Sequence, residues 1–206
     1  MIKAIFFDYD GVLTKDKTGS LTTNRYLSQA AGVDFSKVRA AFSRHNTDLT
    51  LGKTTHAKIW EQICGELGST MSLDILYEAF ENTPVNEGMF SLARKLKASY
   101  AVGIITDNKK DRMDHLKRTQ NLETLFSPIV VSAEVGASKE GTEIFLHALS
   151  CAAVEPEESV FIDNSRENLV APCALGFKTV FHDDEKNDIE ALVSTLKNFG
   201  VVELPG

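Results

Sequence analysis

The chain has 206 residues, 43% hydrophobic and 25% charged, with twenty-two basic against twenty-nine acidic side chains and a formal charge of -7. That length buries a sizeable core, in one domain or in one domain with a large insertion, and the composition is that of a globular chain and not a disordered one. An acidic balance without a Lys/Arg-dense stripe argues against a nucleic-acid partner, and no apolar run approaches a membrane span. Cys64, Cys151 and Cys173 are far apart and show no CxxC spacing, so they read as small buried hydrophobes in a reducing compartment. Lys3, four apolar residues and then Asp8 make no secretory signal, and the expected location is cytoplasmic.

The first predicted element is a short apolar strand, 4–7, ending in two carboxylates one residue apart. Strand side chains alternate with period two, so Asp8 and Asp10 leave the strand end on the same side, and Gly11 lets the backbone turn beneath them. Such a pair can seat a divalent cation and a reacting phosphate. In an acidic protein a metal ion is the obvious source of the positive charge a phosphate needs.

Residues 15–85 contain no convincing strand. They carry two strong helical patterns, Ile59, Trp60, Ile63, Cys64, Leu67 and Leu73, Leu76, Tyr77, Phe80, between linkers at 14–20 and 83–86 that are rich in Thr, Gly, Asn and Pro. Within them Gly52, Lys53 and Thr54 imitate the end of a P-loop, but the required first glycine would fall at Thr47 and no strand precedes it. Arg44 and His45 close a further helix, where cations complement the helix dipole.

From residue 87 strand and helix alternate. A helix through Met89, Leu92 and Leu96 leads to a strand at 100–105, followed by Thr106, Asp107 and Asn108, of which the last two are placed to cap a helix over 109–118. Strands at 128–131, 159–162 and 177–181 alternate with helices through Phe145 and Leu149 and through Ile189 and Leu196. Pro172 falls inside the helix expected after 162 and costs about 3 kcal/mol there unless that helix bends or starts late. The pattern predicts an α/β fold, a Rossmann-like parallel sheet with helices on both faces, in a core of 1–14 and 86–206 interrupted by a helical module at 15–85. Ligands of open parallel sheets bind beyond the carboxyl ends of the strands. Three strands deliver Asp8 and Asp10, Thr106 to Asn108, and Asp163 with Asn164 to that edge. The five histidines show no metal spacing.

With FFDYDGVLT (6–14), GIITDN (103–108), Lys139 in SKEGTEIF (138–145) and VFIDNSRENL (160–169) in order, the chain resembles the haloacid dehalogenase superfamily, in its phosphatase and β-phosphoglucomutase-like branch with a helical cap. The resemblance implies that Asp8 is the nucleophile, forming an aspartyl-phosphate, and that Asp10 is the general acid and then the base. It implies that Thr106 and Lys139 bind and neutralise the phosphoryl group, and that Asp8, the main-chain carbonyl of Asp10 and Asp163 hold Mg²⁺. Glu167, one helical turn beyond Asp163, is the candidate to replace the carboxylate that many relatives carry where this chain has Asn164. Asp107 and Asn108, and in the cap Lys53 and Arg44, are candidates for substrate contact.

Asp8, Asp163 and a phosphate dianion bring about -4 together, and unit charges ~4 Å apart at an effective dielectric of ~20 interact by about 4 kcal/mol. Mg²⁺ and Lys139 supply +3, which leaves the site near neutral when Asp10 is protonated. Dehalogenases lack a carboxylate at the position of Asp10, which disfavours that activity here. The expectation is a Mg²⁺-dependent phosphatase of a small phosphomonoester, such as a sugar phosphate, acting as a monomer or homodimer. The alternatives are a phosphomutase on the same core and, from another class, a phospho-accepting signalling or non-catalytic binding module.

Overall fold

In the computed structural model, which describes residues 1–202, one parallel sheet contains β1 (Ala4–Phe7), β2 (Ala101–Thr106), β3 (Ile129–Val131), β4 (Ser159–Asp163) and β5 (Lys178–Phe181). Its order is β3-β2-β1-β4-β5, so the chain departs in opposite directions on the two sides of β1. Phe7 stands level with Ile104 on one side and Ile162 on the other, and the residues that follow these three strands emerge together. Every residue of β1 is buried because both faces of the sheet are covered, which is why the strand is uniformly apolar and does not alternate. On one face Ile5, Phe7 and Ile104 pack with Met89, Leu116 and Leu196; on the other Phe6 and Phe161 pack with Phe145 and Phe177.

Between β1 and β2 the chain forms α1 (Gly19–Ala31), α2 (Phe35–Ser43), α3 (Asn46–Thr50), α4 (His56–Leu67) and α5 (Leu73–Glu81), then re-enters the sheet layer through α6 (Glu87–Leu96). The hydroxyls of Thr18 and Thr55 accept from the backbone N–H groups of Leu21 and Lys58 at the starts of α1 and α4, and both helices end at a left-handed glycine, Gly32 and Gly68. The insertion has a core of its own around Leu27, Val38, Trp60, Ile63, Leu76 and Phe80. α4 and α5 fall where the periodicity predicts them. α1 lacks a clear apolar stripe because three of the residues it buries are Thr22, Thr23 and Asn24.

The two crossings between insertion and sheet lie side by side. Thr14 bridges Val85, Lys15 N–H donates to the Pro84 carbonyl at 2.8 Å, and Asn86 N–H donates to the Leu13 carbonyl at 2.9 Å.

The remaining helices are α7 (Lys110–Thr119), α8 (Ser132–Val135), α9 (Glu143–Ala152), α10 (Val170–Leu175) and α11 (Ile189–Asn198). α10 starts late, which places Pro172 in its first turn, where the backbone N–H it lacks would have had no helical partner. Of the three free cysteines only Cys64 is buried, which corrects the expectation for Cys151 and Cys173. Among the described residues no helix is long and apolar enough to cross a membrane.

Candidate active site

Asp8 directly follows β1, and its Oδ1 accepts from Tyr9 N–H at 2.8 Å, which opens a tight turn. Gly11 closes that turn at φ +78°, and a Cβ added to it would come within 2.1 Å of the Asn164 amide. Glycine is thus required there both by conformation and by close approach. From the loop between α8 and α9, the Lys139 ammonium reaches across to Asp8 Oδ1 at 2.9 Å and Asp163 Oδ2 at 2.7 Å. The Asp107 carboxylate accepts from Lys139 N–H at 3.0 Å, so it fixes that loop and does not cap α7.

All three charged groups are buried, and one cation is shared by two carboxylates. Burial pushes the Asp8 carboxyl up to about 7, with the Asp163 charge adding to the rise and Lys139 opposing it. Burial disfavours the charge on Lys139 too, but Asp8 and Asp163 outweigh it and hold the ammonium above the ordinary lysine range. The edge is short of positive charge.

The other oxygen of Asp163 accepts from Ser165 N–H at 2.7 Å and from the Asn168 amide at 3.2 Å. Glu167 is exposed and bound by the Ser165 hydroxyl at 2.6 Å, so it does not complete the carboxylate set. The helical spacing that would have brought it back does not apply, because this segment is one 3-10 turn before α10 and not an α-helix. Asn168 stands there instead, as a neutral group. The Asn164 amide turns away toward the first linker, 3.4 Å from the Lys17 carbonyl.

Asp10 is engaged by a residue the sequence reading did not single out. Arg112, in the first turn of α7, grips both carboxylate oxygens, Nη1 to Oδ2 at 2.8 Å and Nη2 to Oδ1 at 2.9 Å, and the Asn108 amide donates to Oδ2 at 2.9 Å. Asn108 Oδ1 in turn accepts from Lys109 N–H and from Arg112 Nη1, both at 3.0 Å. Burial would loosen the proton on Arg112, and the Asp10 charge more than reverses that. The signal was present in the sequence. A cation in the first turn of a helix opposes the macrodipole and needs a local anion to justify it.

These groups floor a cavity of about 690 Å³ whose opposite wall is the insertion. Thr106 is buried at its edge on the core side. Phe35, Arg39 and Phe42, at helical spacings of four and three, line it from α2, with Asn24 of α1 and Asn46 of α3. Lys109 lines it from the core, its ammonium lowered to about 8 by burial and then by Arg112. Two expected contacts lie elsewhere. Arg44 is exposed and pairs with Glu66 at 2.8 Å, and Lys53 is exposed and 3.7 Å from Asp48. The glycine turn that carries Lys53 is spent on docking, since a Cβ on Gly52 would strike the Ala133 carbonyl at 1.9 Å.

The family model of haloacid dehalogenase-like hydrolases matches residues 2–172. The chain belongs to that family. Among solved structures, it is similar to a predicted HAD-like family hydrolase from Porphyromonas gingivalis, at 22% identity over 96% of this chain and 98% of that one, with a TM-score of 0.76. A HAD family enzyme from Bacteroides thetaiotaomicron, solved with magnesium and inorganic phosphate, aligns at 20% identity over 93% and 99% of the two chains, with a TM-score of 0.75. An L-2-haloacid dehalogenase aligns at 18% identity over 88% and 84%, with a TM-score of 0.65. HAD-like hydrolases of differing chemistry thus share this fold, and the activity has to be argued from the site.

Among the described residues no three His, Cys, Asp or Glu side chains cluster with metal-binding spacing. The donors that fit a cation are two carboxylates on neighbouring strand ends, Asp8 and Asp163. This oxygen pair, in which burial has weakened the acidity of Asp8, matches a hard divalent ion.

Proposed function

We propose that this chain is a Mg²⁺-dependent phosphatase of small phosphomonoesters, with residues 15–85 acting as a cap over the site. The observation that carries the reading is Lys139 held between Asp8 and Asp163 at the β1/β4 edge, with a second carboxylate, Asp10, at the floor of a partly enclosed cavity. Magnesium and phosphate in the Bacteroides relative support the same assignment.

In the first step Asp8 attacks phosphorus. Its carboxylate oxygen bonds to phosphorus as the bond to the leaving oxygen breaks, and the proton of the Asp10 carboxyl passes to that oxygen. In the second step water attacks phosphorus and gives a proton to the Asp10 carboxylate. The bond to Asp8 breaks, and inorganic phosphate and free Asp8 are released. Thr106 hydrogen-bonds the phosphoryl oxygens, and Lys139 offsets their charge. Mg²⁺, held by Asp8, Asp163 and the carbonyl of Asp10, would neutralise and orient the phosphate. Asp107 and Asn108 line the same cavity, where Asp107 holds the Lys139 backbone and Asn108 orients Asp10.

A cavity of about 690 Å³ is of a size for a metabolite such as a sugar phosphate. The test is phosphate release from an aryl phosphate and from a panel of phosphorylated metabolites, with Mg²⁺ and with chelator. Retained activity in Asp8→Asn, or activity indifferent to chelator, would refute the reading.

A further inference from the structure

The grip of Arg112 on Asp10 is more than an ion pair, because the same guanidinium touches both routes by which the insertion leaves the sheet. Its Nη2 donates to the Thr83 hydroxyl, in the second linker, at 3.2 Å. A Cβ built on Gly19, where the first linker runs into α1, would lie 2.2 Å from the guanidinium carbon, so the guanidinium is packed directly against the backbone there. Its Nε is buried without a hydrogen-bond partner among the described residues. A side chain that leaves a buried donor unmet is held by what its other atoms do.

The helix that carries Arg112 is also where the insertion docks. One residue earlier, Asp111 binds His56 Nδ1 at 2.7 Å and Ala57 N–H at 3.2 Å, at the start of α4. One turn later, His115 binds Glu81 at 2.7 Å and stacks on Tyr77 of α5 with ring centroids 4.9 Å apart. Along one turn of α7, then, two residues seat the insertion and the one between them holds Asp10.

Three hydrogen bonds, two from Arg112 and one from Asn108, fix the direction in which the Asp10 carboxylate points. The groups that fix the guanidinium besides Asp10 and Asn108 belong to the two crossings of the insertion.

We infer that Arg112 is a positioning residue that couples the seating of the insertion on α7 to the orientation of the Asp10 carboxylate. This rests on the reading of Asp10 as the acid–base group. The test is single-turnover release of the leaving group from an alkyl and an aryl phosphate, because only the alkoxide depends strongly on protonation. In Gly19→Ala, which drives a methyl into the guanidinium from the insertion side, the alkyl rate should fall about 10-fold or more and the aryl rate less than about 3-fold. Thr83→Val should reproduce the bias more weakly. Arg112→Met should show it most strongly, Arg112→Lys should recover part of it, and adding Asp10→Asn to Arg112→Met should cost little more than either change alone.

Equal losses for both substrates in Gly19→Ala and Thr83→Val, or full additivity of Arg112→Met with Asp10→Asn, would reduce Arg112 to a structural cation and overturn the inference. If Asp10→Asn by itself left alkyl turnover intact, the reading of Asp10 would be at fault instead. Should Arg112→Met fail to fold, the two variants outside α7 still decide.

Discussion

The two walls of the cavity are built on opposite principles. At the strand edge the charged side chains are engaged before any ligand arrives: Lys139 between Asp8 and Asp163, Asp107 on the Lys139 backbone, and Arg112 around Asp10. Across the cavity, α2 presents Arg39 exposed between Phe35 and Phe42, without an ion-pair partner among the described residues. A pre-paired, desolvated network suits a fixed chemical step, since it costs no reorganisation when charge develops. An exposed cation flanked by rings on a cavity wall is free to reorient, and that suits recognition of a varied polar group.

The sharpest way to break the comparison is at the edge. Asp8→Asn should lower phosphate release from every substrate by at least ~10³-fold, and activity surviving above that level would remove the edge from the chemistry. Mg²⁺ should also stabilise the folded chain without turnover. A ligand at 100 times its Kd contributes about 2.7 kcal/mol, so melting temperature should rise with Mg²⁺ in wild type and lose that dependence in Asp163→Asn. An equal rise in both would place the ion elsewhere.

On the facing wall, Arg39→Ala should raise KM for the best metabolite about 10-fold while leaving aryl phosphate within about 2-fold. Lys53→Ala and Arg44→Ala should move both substrates by less than about 2-fold, as expected of exposed surface pairs. If those two mattered and Arg39 did not, the assignment of the recognising wall would be wrong.

A further effect, on stability and not on turnover, is a pH signature at Lys109, on the core side. Burial lowers its ammonium to about 8 in the folded chain, against about 10.4 when unfolded, so between those values the unfolded chain binds the extra proton. Its contribution to stability therefore rises with pH across that window, and below pH 8 the buried charge is a constant cost. Lys109→Met should melt higher than wild type at pH 7, and the gap should narrow toward pH 10. A gap independent of pH would mean that Lys109 titrates alike in the folded and the unfolded chain.

The strand edge was legible in the sequence because its groups are fixed by local rules. A strand that ends in Asp, a turn that requires glycine, and polar residues after buried strands can each be read within a few positions. The order of four such segments then carries the family. Asp8, Asp10, Thr106 and Asp163 reach one edge because a parallel sheet brings its strand ends together whatever connects them, and Lys139 joins them from the loop before α9. What the sequence could not decide is which side chain meets which across long separations. Arg112 and Asp10 are 102 positions apart, and Asn108 and Asp10 98. Glu167 and Asn168 differ by one residue, and whether the segment forms an α-helix or a 3-10 turn decides which of them faces Asp163. Lys53 and Arg44 had the right chemistry, but packing of the insertion spent one beside a docking turn and the other on Glu66. Residue types and their order determined the reaction this protein is equipped to attempt. Only the tertiary structure decided which cation holds Asp10 and which face of α2 lines the cavity, because those choices depend on how two separately packed cores are seated against each other.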